Sequence, residues 1–292
     1  MDMVKDDCPH GGAAQVLVQE RIEAGVLVLS LNDPATGNAV SLAMAQAIAC
    51  AVERANLRPD VHCLVVRSTG KHFCTGGNVK DMLSGSDLMQ GSVAEVQGRL
   101  KSSLHRITRA FAALEIPSIA AVNGAAVGAG CDLSLMCDLR IASTTASFAE
   151  SFLRLGLVSG IGGAWYLARI VGRSKALELT LTSEFIDAAS ALDLGLVTRV
   201  VSPEQLDSTA FEMARKVASN PPQALRMAKR LVLDAADSTL PVALEQAAAL
   251  QAILLCGEEH KSVVAQFLEG RKRKRGQPSA ADTATRQHGV EA

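Results

Sequence analysis

The stretch Pro117-Ser-Ile-Ala-Ala-Val-Asn-Gly124-Ala-Ala-Val-Gly128-Ala-Gly130-Cys-Asp132-Leu-Ser-Leu-Met-Cys137-Asp138 decides how the rest of the chain is read. Ile119 to Val122 is a short apolar run of strand character, the glycines after it impose a bend, and a small-residue helix then starts with a carboxylate, Asp132, in its first turn. The first N–H groups of a helix have no intrahelical partner and lie at the positive end of its dipole, so they can hold a developing negative charge beside an acid or base. The stretch therefore has the layout of a site.

Outward from it, strands and helices alternate. Gln15 to Arg21 and Gly25 to Leu31 read as a hairpin turning through Ile22-Glu-Ala-Gly25. Ser41 is placed to cap an Ala-rich helix running to about Asn56, and Cys63 to Arg67 is a strand. The polar, glycine-bearing loop Ser68-Thr-Gly-Lys-His-Phe-Cys-Thr-Gly76-Gly77-Asn78-Val79-Lys80-Asp81-Met82 follows that strand directly, and loops at strand ends commonly carry function. A helix from about Ser92 to Leu114 leads into Pro117. Leu139 to Ser143 is a strand, Phe148 to Gly156 a second site-lining segment, and Gly160-Ile-Gly162-Gly163 opens a helix with the only Trp and Tyr. Asp187 caps a helix that Gly195 stops, and Leu196 to Val201 is a strand.

From Pro203 the pattern is helical throughout, broken at Pro221-Pro222, Pro241 and Gly257 into four helices. The expected organisation is a disordered arm at 1–14, an α/β core at 15–202, a helical region at 203–270 and a basic, polar tail at 271–292 carrying Arg271-Lys-Arg-Lys-Arg275.

The bulk chemistry excludes several classes. Lys plus Arg is 29 against 30 for Asp plus Glu, so no global field recruits nucleic acid. With 3% aromatic residues, base stacking is not the binding mode, and the core falls to Ala, Val, Leu and Ile. The seven cysteines are scattered without a C-x-x-C, and the six histidines lack ligand spacing, so free thiols, a reducing compartment and no metal are expected. No apolar run approaches the ~18 residues of a membrane span, and the acidic first residues lack an apolar segment, which predicts a cytoplasmic protein without membrane attachment.

Taken together and in order, these segments resemble the enoyl-CoA hydratase/isomerase, or crotonase, superfamily over about residues 15–272. The resemblance is carried by Leu31-Asn-Asp-Pro34 with Asn38-Ala-Val-Ser41, Phe73 to Met82, Ala120 to Gly124 through Gly130-Cys-Asp132, Cys137-Asp138-Leu-Arg-Ile-Ala142, Gly156 with Gly162-Gly163, and Phe267-Leu-Glu-Gly-Arg271. It implies an α/β crotonase-like spiral of β-β-α units with a helical C-terminal region that builds a homotrimer or a dimer of trimers. It also implies an acyl-CoA thioester as substrate, with coenzyme A entering only as part of it and no separate cofactor.

By the same resemblance, two backbone N–H groups that hold the thioester oxygen as an enolate forms fall on Gly77 and Ala129. Asp132 falls where the hydratases carry one of two glutamates and is assigned as acid/base. The second glutamate falls on Phe152, which cannot transfer a proton, and Glu150 is the carboxylate placed to replace it if the segment is irregular. Lys71 and Lys80 fall near the CoA adenine and phosphates, Thr75, Asn78 and Val79 line that pocket, and Phe267 closes it. Hydration of a 2-enoyl-CoA and double-bond isomerisation both stay open on these residues. The alternative is a non-catalytic or RNA-binding homologue using Arg271 to Arg275, whose five basic residues give only a modest, salt-sensitive attraction.

Overall fold

Ala24 and Gly25 take positive φ values of 50° and 75°, so the opening hairpin closes through a two-residue turn whose twist matches its strands. This is tighter than the four-residue turn the sequence suggests. In a computed structural model of the protein, residues 16–85 and 87–276 are described; the expected arm at 1–14 and the end of the chain lie outside them.

The hairpin, β1 (Val18–Glu23) and β2 (Val26–Leu31), forms one edge of a six-stranded sheet. It continues in parallel through β3 (Cys63–Ser68), β4 (Ser118–Val122), β6 (Leu139–Ser143) and β9 (Arg199–Val201). Three short strands, β5 (Ala125–Val127), β7 (Ser147–Ala149) and β8 (Ile186–Asp187), make a second sheet.

The inner strands of the large sheet, β2, β3, β4 and β6, are buried on both faces. Leu27, Leu29, Leu64, Val66, Ala120 and Val122 share one core with α1 (Leu42–Asn56), which Ser41 caps by accepting the N–H of Met44. The alternate residues Val26, Val28, Cys63, Val65, Ile119 and Ala121 face the other way. They meet Leu206, Ala210, Ala214 and Ala218, a stripe at four-residue spacing on a C-terminal helix, Leu206–Ala218.

The helices between are α2 (Val79–Ser84), α3 (Val93–Arg99), α4 (His105–Ala112), α5 (Ala129–Met136), α6 (Gly163–Val171), α7 (Arg173–Thr182) and α8 (Ala188–Asp193), followed by α9, the Leu206–Ala218 helix. The expected Ser92-to-Leu114 helix is thus α3 and α4 joined through a π-helical turn at Leu100–Leu104. Because α9 packs on the sheet, the first compact unit runs to Asn220, so the helical region expected from 203 divides there.

The second unit holds α10 (Pro222–Ala236), α11 (Leu240–Cys256) and α12 (Glu258–Gly276). The basic run from Arg271 lies in α12 and not in an irregular tail, as the good helix propensity of Lys and Arg allows. Cys63, Cys74, Cys131 and Cys137 are buried cysteines outside any disulfide, and Cys256 is an exposed one. Among the described residues no single helix is long and apolar enough to cross a membrane.

Candidate active site

Two stretches of backbone run side by side at the end of β3 and β4. Cys74 donates its N–H to Ala125 O at 3.0 Å, and Val127 N–H returns to Cys74 O at 3.0 Å. The approach is possible because side chains are missing: a Cβ on Gly130 would lie 2.0 Å from Cys74 O, and one on Gly124 would lie 2.1 Å from Lys71 O. Gly128 then turns the chain at φ 52°, ψ −119°, a conformation that favours glycine, and α5 starts at Ala129.

This packing brings the glycine loop to the head of α5. The Cβ position of Gly76 falls 3.6 Å from Ala129 N. Ala129 is the first residue of its helix, so its N–H has no intrahelical acceptor, and among the described residues neither it nor Gly77 N–H bonds a backbone carbonyl outside regular elements. At the other end of α5 the buried guanidinium of Arg140 donates to Cys137 O at 2.6 Å and Ser134 O at 3.4 Å, a cation at the negative end of the dipole.

Asp132, in the first turn of α5, is fully buried, and Glu150, just past β7, is 4% exposed. Their carboxyls are close neighbours, each acting on the other's titration. Asp132 Oδ1 and Glu150 Oε1 receive no hydrogen bond from any protein donor, and two neighbouring buried carboxyls disfavour carrying charge together. Burial pushes Asp132 up to about 6, against the opposing pull of the neighbouring Glu150, Ser159 and Gly163. Burial, and then the neighbouring Asp132 charge, push Glu150 up to about 9. Both carboxyls are thus shifted toward the protonated form, Glu150 the further of the two.

A stability signature follows from Glu150. Its carboxyl is raised from the ordinary 4.5, so the native state binds the proton more tightly than the unfolded chain. That stability is complete below about 4.5 and is lost as pH rises toward about 9. Glu150→Gln, neutral throughout, is expected to gain on the wild type across this window by on the order of 1–3 kcal/mol. Urea unfolding of both proteins from pH 5 to pH 9 checks this; a constant offset would mean Glu150 is already ionised in the fold.

The other residues named from the sequence divide. Phe152 is half-buried, its ring 3.7 Å from the Cβ position of Gly128, so it walls the bend while Glu150 turns toward Asp132. Thr75 is tied to Thr36 O and Gly37 O, and Asn78 caps α2 by accepting Lys80 N–H at 3.1 Å. Lys71 lies exposed on the glycine loop, and Val79 and Lys80 lie exposed in the first turn of α2. Phe267 is on α12 in the second unit, 62% exposed, with Arg271 stacked over its ring.

Sequence reasoning missed Ser159 and the role of Gly163. Ser159 Oγ donates to Asp132 Oδ2 at 2.7 Å and accepts Gly163 N–H at 2.9 Å. A Cβ on Gly163 would lie 1.7 Å from Asp132 Oδ1, so the carboxylate occupies the space that side chain would fill. The Gly162-Gly163 pair was the one available signal, because glycine at a helix start implies a close approach. Among the described residues no group of three His, Cys, Asp or Glu side chains is arranged to hold a metal ion.

The chain is similar to known proteins over most of its length. The chain matches the family model described as enoyl-CoA hydratase/isomerase over residues 21–277. It is 35% identical over 257 residues to a protein of Rhizobium meliloti named probable enoyl-CoA hydratase, covering 88% of this chain and 96% of that one. It is 30% identical over 254 residues to the 1,2-epoxyphenylacetyl-CoA isomerase of Escherichia coli, covering 87% and 96%. The crystal structure of an enoyl-CoA hydratase from Mycobacterium smegmatis superimposes with a TM-score of 0.78 at 33% identity over 87% of this chain and 96% of that one. The α/β architecture of β-β-α units with a helical C-terminal region is the one these structures share.

Proposed function

We propose that the chain, which belongs to the enoyl-CoA hydratase/isomerase family, moves protons on an acyl-CoA thioester through an enolate held by Gly77 and Ala129 N–H. The observation that carries this is the buried Asp132 carboxyl, held by Ser159 and neighboured by the buried Glu150, beside a helix start whose first N–H has no intrahelical acceptor. One preorganised oxyanion donor is worth about 2.7–4 kcal/mol, so two supply roughly 5–8 kcal/mol toward removing the weakly acidic α-proton. Asp132 is the base of the pair and Glu150 the reservoir for the second proton. No redox step or separate cofactor enters.

In the forward hydration of a 2-enoyl-CoA, Asp132 takes a proton from the water as its oxygen bonds Cβ, the π electrons move to the thioester oxygen, and the α-carbon then receives the proton held by Glu150, so the pair again holds one proton. In isomerisation the same pair takes a proton from one carbon of the enolate unit and returns it to another. Phe152 supports the second reaction, since the aromatic ring at that wall can neither hold nor orient water. Thr75, Asn78, Val79, Lys71 and Lys80 are the residues proposed to receive the CoA moiety, and Phe267 the one to close over it. Assembly as a homotrimer or a dimer of trimers is supported by the apolar surface of the second unit, where Val232, Leu233, Val242, Leu244, Ile253 and Leu255 are all more than half exposed in one chain.

The test is incubation with crotonyl-CoA, with a 3-enoyl-CoA, and with butyryl-CoA in D2O. Formation of the 3-hydroxy product establishes hydration, and conversion of the 3-enoyl compound alone establishes isomerisation. If neither proceeds and the α-protons of butyryl-CoA fail to exchange above background, the enolate reading is wrong.

A further inference from the structure

The two carboxyls of the pair are not equivalent, and the difference lies in a loop outside the elements that carry them. Ser159 has one hydroxyl proton to give. Gly163 N–H points at Ser159 Oγ from 2.9 Å, so that oxygen already serves as an acceptor. Its own proton is directed at Asp132 Oδ2, 2.7 Å away. The order of donation is fixed from the backbone outward: Gly163 N–H to Ser159, and Ser159 O–H to Asp132. An oxygen that accepts this bond is favoured as carboxylate oxygen and disfavoured as carboxylic O–H.

The serine is held from both flanks. His105 Nε2 lies 2.9 Å from Gly160 O, and Thr108 Oγ1 donates to Ile161 O at 2.6 Å, so α4 grips the two residues that follow Ser159. Ile161 is 3% exposed and anchors the loop in the core. Glu150 receives no such hydroxyl, and its Oε1 is without a donor.

We propose that Ser159 is a positioning residue whose hydroxyl holds Asp132 as the ionised member of the pair and so assigns the shared proton to Glu150. The proposal deepens the reading of this site as an acid/base pair, and its test does not need turnover. The groups facing Asp132 are few: Glu150 from the end of β7, Gly163 at the start of α6, and the thiols of Cys131 on α5 and Cys74 on the glycine loop, both kept neutral by burial. His105 on α4 is bonded to Gly160 O and does not reach the pair.

The experiment is titration of the Asp132 carboxyl by carbon NMR in full-length protein labelled at aspartate, with the signal assigned through Asp132→Asn. In Ser159→Ala the midpoint is expected to rise by at least half a pH unit, about a threefold gain in proton affinity. Ser159→Thr, which keeps a hydroxyl, should restore the wild-type value, and Ser159→Cys, a weaker donor, should fall between. If the alanine variant does not fold, the order Ser, Thr, Cys decides alone. Midpoints that coincide across the series overturn the proposal. If the series shifts as expected while no acyl-CoA is turned over, the positioning role stands and the proposed chemistry fails, so the two are distinguished.

Discussion

Asp132→Asn should lower kcat toward whichever acyl-CoA thioester is turned over by roughly 10² to 10⁴-fold, with KM little changed, because a positioned acid/base contributes about that much. The substitution is close to isosteric. Ser159 can still donate to the amide oxygen, and the new NH2 group can donate to Glu150, which otherwise lacks a donor for Oε1. The fold should therefore survive and the loss be chemical. Removing a buried charge that burial disfavours should leave thermal stability equal or higher, which separates this outcome from simple unfolding. Steady-state kinetics together with a melting curve is the check, and activity within tenfold of wild type would remove Asp132 from the mechanism.

Gly130→Ala should be among the most damaging single-methyl additions in the first unit. Its Cβ would stand 2.0 Å from Cys74 O and 2.7 Å from Cys74 C. The obstacle is backbone held by hydrogen bonds on both sides, Cys74 N–H to Ala125 O and Val127 N–H to Cys74 O, so no side-chain rotation relieves it. Overpacking typically costs about 1–3 kcal/mol and more where relaxation is blocked, and about 3 kcal/mol or more is expected here. Relief requires the glycine loop to move off α5, which separates Gly77 from Ala129, so activity should fall even where the protein remains folded. Gly98→Ala is the comparison: Gly98 sits inside α3 with no atom within 4 Å of the added carbon, and roughly 0.5–1 kcal/mol of stabilisation is expected. Urea midpoints for the two variants should move in opposite directions; a Gly130→Ala protein as stable as wild type would mean the loop is far softer than its hydrogen bonds imply.

Much of this was legible in the residues themselves. Ser41 and Asp187 cap the helices their sequence positions announce, and the strands at Ser118–Val122 and Leu139–Ser143 follow from apolar runs bounded by breakers. The four C-terminal helices break where the prolines and Gly257 stand. What escaped depends on distant partners. Ala125–Val127 is too short to show periodicity and is a strand only because β7 and Cys74 lie alongside it. Parity along a strand would put Glu150 and Phe152 on one face, but β7 ends at Ala149 and Glu150 bends the chain at φ −86°, ψ 67°. One side chain then meets Asp132 and the other the Gly128 bend. Ser159 belongs to no motif, and only the clamp from α4 gives it a role. The division at Asn220 was hidden because α9 has the amphipathic pattern of its C-terminal neighbours yet buries it against the sheet.

The π-helical turn at Leu100–Leu104 has a bearing on how this lineage can vary in length. Such a turn amounts to one extra residue inside a helix, and each residue of an α-helix advances about 100° around its axis. His105 and Thr108 reach the 159–162 loop only in the phase that this extra residue sets. A gene that lost one codon there would keep a regular, well-formed helix and yet swing both side chains off the loop they hold. Substitution at its exposed positions should therefore be tolerated, whereas a one-residue deletion there should loosen the loop that holds Ser159 against Asp132.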